Sequence, residues 1–177
     1  MGTQLSWPVA THLRTSRLDL EPIRAEHAEE AYAWLADERI HAFTGGQPAS
    51  LQELRVRFRR QAEGRSPDGH EGWLNWMIRH RTGRLVGTVQ ATLTRTPGGV
   101  LQARLAWVLA FDAQGHGFAR EAAGEMVSWL MGSGVQRLTA YIHPRHKASK
   151  GVARAIGMRP TVVFTDGEVE WTNDPLR

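Results

Sequence analysis

The stretch that decides the fold reads Leu105-Ala106-Trp107-Val108-Leu109-Ala110-Phe111 and then, after two residues, Gln114-Gly115-His116-Gly117-Phe118-Ala119. The first part has the apolar pattern of a strand, and the second opens a helix, because apolar residues recur at helical spacing from Ala119 to Gly132. Unpaired N–H groups and the helix dipole at such a junction attract anions. The loop therefore predicts either a phosphate site or a tight turn that needs glycine only for its conformation.

The loop differs from the two best-known phosphate loops. A P-loop has four residues between its glycines and then Gly-Lys-Ser/Thr, whereas here Gly115 and Gly117 are two apart and no lysine follows. The dinucleotide-binding fingerprint needs a third glycine or an alanine where Arg120 stands. The common ATP and NAD sites are therefore disfavoured.

Apolar periodicity and turn residues divide the rest of the chain into strands and helices. Strands are predicted over 17–23, 73–80, 85–93, 100–111, 138–143, 160–165 and 168–171, and helices over 25–36, 51–63, 119–132 and 148–156. Ser50 and Glu53 form a capping box at the start of the second helix. This order predicts an α/β (α+β) fold with a mixed sheet, in a single domain over 1–177 whose first 12 residues form a loose extension.

The amino-acid composition excludes several kinds of functional site. The chain of 177 residues has no cysteine, which excludes disulfides, thiolate nucleophiles and Cys-based metal sites and fits a reducing, cytoplasmic location. No apolar run approaches the roughly 18–20 residues that span a bilayer. Of its 22 basic residues only Lys147 and Lys150 are lysines, and arginine raises the isoelectric point to about 10.3 although the net charge is only +4.

Four motifs, in the right order, resemble those of the GNAT superfamily of N-acetyltransferases. The segment Gln114–Ala119 resembles its acyl-CoA loop, Gln/Arg-x-x-Gly-x-Gly/Ala, and the following Glu121-Ala122 is similar to the branch of the ribosomal-protein-alanine N-acetyltransferases. The other motifs lie at 13–20, at 76–87 and at 143–158. The resemblance covers nearly the whole chain.

This resemblance implies a mixed, mostly antiparallel sheet of about seven strands, flanked by about four helices, with the fourth and fifth predicted strands splayed apart. The pantetheine of acetyl-CoA would pair with the backbone of Trp107, Val108 and Leu109. Its pyrophosphate would lie on the loop amides, and His146 stands in the second cofactor motif where the family has asparagine. The loop residues implied in binding are Gln114, Gly115, His116, Gly117, Phe118, Ala119 and Arg120.

The sequence identifies the catalytic residues less well than the cofactor-binding residues. The resemblance implies that Ser149 lies near the thiol as a proton donor, and a role as a helix cap is the alternative. Gly151, Ala153 and Arg104 stand where relatives carry a basic residue, a tyrosine and a glutamate, and residues 72–111 contain no Asp or Glu. A base is needed because an amine is mostly protonated at neutral pH.

Two residues are predicted as candidates for that base. His80 ends a strand beside a hairpin, and Glu168 begins the last strand, which often borders the acceptor pocket in the family. His41 and Glu170 are further candidates, and packing or surface roles are the alternative for the histidines.

The sequence thus predicts an N-acetyltransferase that moves an acetyl group from acetyl-CoA directly to a primary amine of a protein N-terminus, an amino acid or a small molecule, without a metal. One alternative is an acyl-CoA-binding module that has lost catalysis. The other is a basic nucleic-acid-binding domain, indicated by the arginines of 55–60 but disfavoured because aromatic residues do not alternate with them. The superfamily leads us to expect a homodimer, while the acceptor stays open.

Overall fold

A computed structural model of the chain describes residues 6–43 and 45–174. The strands are β1 Leu13–Arg14, β2 Leu18–Pro22, β3 Gly72–His80, β4 Leu85–Arg95, β5 Leu101–Leu109, β6 Arg137–Ile142, β7 Arg159–Thr165 and β8 Glu168–Thr172. The helices are α1 His27–Leu35, α2 Leu51–Ala62, α3 Phe118–Gly132 and α4 Lys147–Ala155. Each predicted strand and helix is present within a few residues of its predicted ends.

All eight strands form one sheet in the order β1-β2-β3-β4-β5-β6-β8-β7. Only β5 and β6 pair in parallel, and the other neighbours are antiparallel. This confirms the mixed, mostly antiparallel sheet with four helices. The count is eight rather than seven because the two residues of β1 pair with β2.

The helices cover both faces of the sheet, as alternate residues of β3 indicate. Trp76 packs edge-on against Trp129 of α3, with ring centroids 5.5 Å apart. On the opposite face, Arg79 pairs with Glu30 of α1. Side chains from α3, including the fully buried Met126 and Leu130, complete the core on the first face.

The predicted splay is confirmed by the pairing of β5 with β6. These strands pair over only three positions, the last being Arg104 with Thr139, and then diverge. On its other side β5 stays paired with β4 to the end, where Gly87 lies opposite Leu109. A Cβ at residue 87 would lie 2.4 Å from the carbonyl oxygen of Val108, so only glycine allows the two strands to approach this closely.

Local signals in the sequence predicted one helix start correctly and one helix face wrongly. Ser50 and Glu53 form the predicted capping box. Helical periodicity over 25–36 places Tyr32 on the inner face of α1 with Ala28, Ala31 and Leu35, but Tyr32 is 38% exposed and Trp34 is buried.

The N-terminal segment departs from the expected loose extension. Residues 1–5 lie outside the described residues, but Trp7 donates a hydrogen bond from Nε1 to the carbonyl oxygen of Gly69 (3.1 Å). Its ring packs on Gly72, where a Cβ would lie 2.8 Å from the indole. Trp76 Nε1 donates to the carbonyl oxygen of Thr11 (2.7 Å). The described part of the segment is therefore docked on the sheet by tryptophans.

Candidate active site

A cavity of about 490 Å³ opens where β5 and β6 diverge, and we call it the cleft. Its β5 wall includes Trp107, Val108 and Leu109, and Ser149 and His146 approach from α4. The loop and the start of α3 contribute Gln114, Gly115, Gly117, Phe118, Ala119 and Arg120. The cleft therefore brings together most of the residues that the sequence predicted for the cofactor.

The glycine loop presents backbone amides to this cleft. Gly115 and Gly117 both have φ of 80°, a left-handed conformation that side chains disfavour. Gly117 is the N-cap residue of α3 and has no side chain to accept from the helix amides. Because the first amides of a helix have no acceptor within it, this end of α3 is suited to bind an anion.

A carboxylate that the sequence analysis did not assign tethers this loop. Glu121 Oε1 accepts hydrogen bonds from Thr15 Oγ1 (2.6 Å), Ser16 Oγ (3.1 Å) and the Arg17 backbone N–H (2.9 Å), and Oε2 accepts from Arg17 Nε (2.7 Å). We call this the Glu121 clamp. Partial burial by itself raises the pKa of Glu121, but the hydrogen bonds from Thr15, Arg17 and Ser16 outweigh it and lower the pKa to about 2.

Arg17 extends the clamp to the loop itself. Its Nη1 donates to the carbonyl oxygen of His116 (3.0 Å), and its guanidinium lies 4.8 Å from the centroid of the Phe118 ring. In the sequence, only its place just after the loop motif drew attention to Glu121. Its hydrogen-bond partners lie more than 100 positions away, so no local pattern could reveal them.

The side chain of Arg120 lies beside α4. A Cβ at Gly151 would lie 3.5 Å from Arg120 Nη2, so the guanidinium of this α3 residue is next to that glycine. A positive charge on α3 therefore stands beside the helix that carries Ser149.

Two side chains connect α4 to the cleft walls. His146 caps α4 by accepting at Nδ1 from the Ser149 backbone N–H (3.4 Å), so the neutral ring carries its proton on Nε2. The His146 ring stacks on Phe43 at 4.3 Å, and burial together with neighbouring His143 lowers its pKa. Trp107 Nε1 donates to Ser149 Oγ (3.3 Å), so the Ser149 hydroxyl is held across the cleft.

Glu168 also lines the cleft, and a second cavity lies on the other side of Tyr141. Burial raises the pKa of Glu168, which His143 opposes and Asp166 reinforces. The second cavity, of about 310 Å³, includes Arg104 and Glu170 in its lining, and Tyr141 lines both cavities. The Tyr141 hydroxyl donates to Glu170 Oε2 (3.1 Å), and burial and this hydrogen bond raise the pKa of Tyr141.

Three histidines do not enter the cleft with their side chains. His80 contacts Thr82 through Nδ1 (2.9 Å) and packs on Phe118 with ring centroids 5.1 Å apart, and it is not among the residues that line the cleft. This geometry argues against the predicted role of His80 as a base. His116 stacks on Phe118, and His41 contacts the carbonyl oxygen of Leu35 (2.9 Å). Their places in the sequence did not show which way the rings point.

Metal sites and membrane-spanning helices are both absent from the described residues. Within 6–43 and 45–174, no three His, Asp or Glu side chains come together in a way that could hold a metal ion. None of the helices in that part of the chain has the length and apolar character needed to cross a membrane.

Comparison with known proteins gives a consistent result. The sequence model of the "Acetyltransferase (GNAT) domain" family matches residues 17–159. No curated protein matches the chain by sequence.

Solved structures share the fold at low sequence identity. An acetyltransferase of the GNAT family from Bacillus anthracis is 16% identical, with a TM-score of 0.74 over 92% of this chain and 96% of the other. A ribosomal L7/L12 alpha-N-protein acetyltransferase solved with coenzyme A is 13% identical, with a TM-score of 0.74 over 92% and 97%. A ribosomal-protein-S5-alanine acetyltransferase from Vibrio fischeri is 16% identical, with a TM-score of 0.71 over 92% and 95%.

Proposed function

Because this chain belongs to the GNAT acetyltransferase family, we propose that it transfers an acetyl group from acetyl-CoA directly to a primary amine. The observation that carries the proposal is the cleft between β5 and β6, which ends at the uncapped N-terminus of α3. An extended ligand arm can pair with the unpaired edge of β5 as an added strand does, and a phosphate group can reach the helix amides.

The cofactor-binding assignment follows from the lining of the cleft. The backbone of Trp107, Val108 and Leu109 would hold the pantetheine, and the amides from Gly115 to Arg120 would hold the pyrophosphate. The Arg120 guanidinium adds a charge-assisted contact from the side of α4. The Glu121 clamp keeps the loop in this shape without entering the cleft.

The chemical step needs a base, an electrostatic contact and an acid. Glu168 takes the proton from the acceptor ammonium, and its raised pKa brings it closer to the operating pH. The amine nitrogen then forms a bond to the thioester carbonyl carbon, and the backbone amides of β5 stabilise the oxyanion. The carbon–sulfur bond breaks as the Ser149 hydroxyl, oriented by Trp107, gives its proton to the departing thiolate. The second proton that the nitrogen loses as the amide forms passes through solvent to the Ser149 oxygen, and Glu168 releases its proton to solvent.

Free thiol release tests this proposal. The protein is incubated with acetyl-CoA and a panel of amino acids, peptides with free N-termini, aminoglycosides and polyamines, and we expect acceptor-dependent release of CoA thiol. Calorimetric binding of acetyl-CoA without turnover on any acceptor would instead support the binding module that has lost catalysis. A failure to bind acetyl-CoA at all would contradict both, and salt-dependent binding of RNA or DNA would then favour the nucleic-acid alternative.

The acceptor class, the homodimer and the cytoplasmic location stay predictions. Two of the structures with the same fold are described as ribosomal-protein acetyltransferases, which makes protein N-termini a natural first group in the panel.

A further inference from the structure

The second cavity contains a cation without a partner. Arg104 is the last β5 residue that pairs with β6, its side chain is exposed, and it lines this cavity. Among residues 6–43 and 45–174 it has no ion pair and no side-chain hydrogen bond. Arg137 in the same lining is neutralised by Asp174, with Nε and Oδ2 3.0 Å apart.

The β4 residues opposite this part of β5 carry no charge that could pair with Arg104. Thr92 lies opposite Arg104 in the pairing of β4 with β5, and Thr94 lies opposite Gln102, which donates to its hydroxyl (3.0 Å). The two carboxylates of the lining have other partners. Glu170 accepts from Tyr141, and Glu71 accepts from the Trp73 indole at 3.0 Å.

Carboxylates continue from the second cavity into the cleft. Glu170 lines the second cavity together with Arg104, and Glu168, on the same face of β8, lines the cleft. Tyr141 joins them, because it lines both cavities and stands two residues beyond Thr139, the partner of Arg104. Two residues of a strand span about 7 Å.

We propose that Arg104 binds a carboxylate of the acceptor, so that the preferred substrates are primary amines that carry a carboxylate a few bonds from the reacting nitrogen. The inference rests on the function proposed above, since it names the acceptor class of that site. The ammonium end is drawn to Glu168 and Glu170 and the carboxylate to Arg104, which orients the acceptor with its amine toward the cleft. Arginine at this position, where relatives carry a glutamate, thus serves recognition and not proton removal.

A pair of matched acceptors tests the inference. Alanyl-glutamate amide and alanyl-glutamine amide have the same size and differ by one carboxylate. A hydrogen bond to a charged group contributes about 1.5–3 kcal/mol, so we expect kcat/KM to favour the glutamate peptide roughly 10- to 100-fold, mainly through KM. In Arg104→Gln the ratio should fall to about one, and Arg104→Lys should restore part of it. Arg59→Gln, an exposed arginine on α2 that lines neither cavity, should keep the ratio.

The outcomes separate this inference from the proposed function. A wild-type ratio near one, or a ratio that Arg104→Gln leaves unchanged, overturns the acceptor assignment while acetyl transfer stands. If no amine is acetylated, the proposed function fails. The inference is then tested by calorimetric titration of the same two peptides into the CoA-loaded protein. Tighter binding of the glutamate peptide, lost in Arg104→Gln, supports the inference, and equal binding overturns it.

Discussion

The cleft and the second cavity share Tyr141 but are built in different ways. The cleft owes its shape to the backbone: a strand pair that separates after Arg104, a glycine at 87 that brings β4 close to β5, and two left-handed glycines in the loop. The second cavity is lined by charged, amide, hydroxyl and phenol side chains on the strands and at Glu71. Single side-chain changes in the second cavity should therefore alter acceptor use, whereas the largest losses of cofactor binding should come from changes to the backbone of the cleft.

The largest effect should come from a carboxylate in the lining of the cleft. In Glu168→Gln we expect kcat to fall roughly 100- to 1,000-fold, as is typical when a general base is lost, with acetyl-CoA affinity unchanged. Because the carboxylate must be ionised to accept a proton, the wild-type rate should rise with pH through the raised pKa of Glu168, and the variant should lose that limb. Steady-state kinetics from pH 4.5 to 8 measures both.

Glu63→Gln, an exposed carboxylate at the end of α2, is the control for this charge change. Retention of most of the activity and of the acid limb in Glu168→Gln would show that another group removes the proton.

The second-largest effect should come from a backbone change in the glycine loop that lines the cleft. Proline cannot adopt the φ of 80° found at Gly117, so Gly117→Pro should distort the loop and remove an amide. We expect acetyl-CoA affinity to fall about 100-fold by calorimetry, since one charge-assisted hydrogen bond contributes up to about 3 kcal/mol. Gly99→Pro imposes the same strain in the turn between β4 and β5 and should leave the affinity unchanged. Equal affinities in the two variants would mean that the phosphates bind elsewhere.

A change behind the loop should act mainly on stability. Glu121→Gln removes the negative charge and one of the two acceptor oxygens of the clamp, and we expect unfolding free energy at pH 7 to fall by about 2–3 kcal/mol in urea titrations. The folded pKa of about 2 lies below the ordinary 4.5, so this contribution is present above about pH 4.5 and disappears as the pH falls toward 2. The wild type and the variant should therefore converge in acid. A pH-independent difference would assign the loss to packing.

The smallest effect should come from Arg120, whose side chain lines the cleft. Arg120→Ala removes a solvent-accessible cation, and we expect acetyl-CoA affinity to fall about tenfold, less so at high salt. Arg59→Ala is the matched control on α2. The double change Arg120→Ala with Gly151→Lys places a positive charge on α4 instead of α3. It should recover part of the acetyl-CoA affinity if binding depends on the charge and not on the helix that carries it.

The sequence predicted the strands, the helices and the loop because each depends on a local pattern. Alternation in β3, the capping box at Ser50 and the glycines before Phe118 are all visible within a few residues. The splay was predicted through the family resemblance rather than from periodicity, since the separation of β5 from β6 depends on which strands pair.

The remaining features depend on contacts between distant residues. His80 was placed at the end of its strand, but its ring packs on Phe118, which only the approach of α3 determines. Tyr141 and Arg104 line the same cavity because β6 pairs with β5 as far as Thr139 and then diverges from it. No local pattern could have indicated that Arg120 fills the space beside Gly151.

The Glu121 clamp also bears on how the protein folds. Its hydrogen bonds join residues 104 to 106 positions apart in sequence, so forming them requires closure of most of the chain. The glycine loop can therefore reach its final shape only after β1 and β2 have docked beside α3. A ligand that binds this loop stabilises the whole folded chain by mass action and not just one turn. Acetyl-CoA affinity should accordingly report on global folding in any variant that loosens the first strand pair.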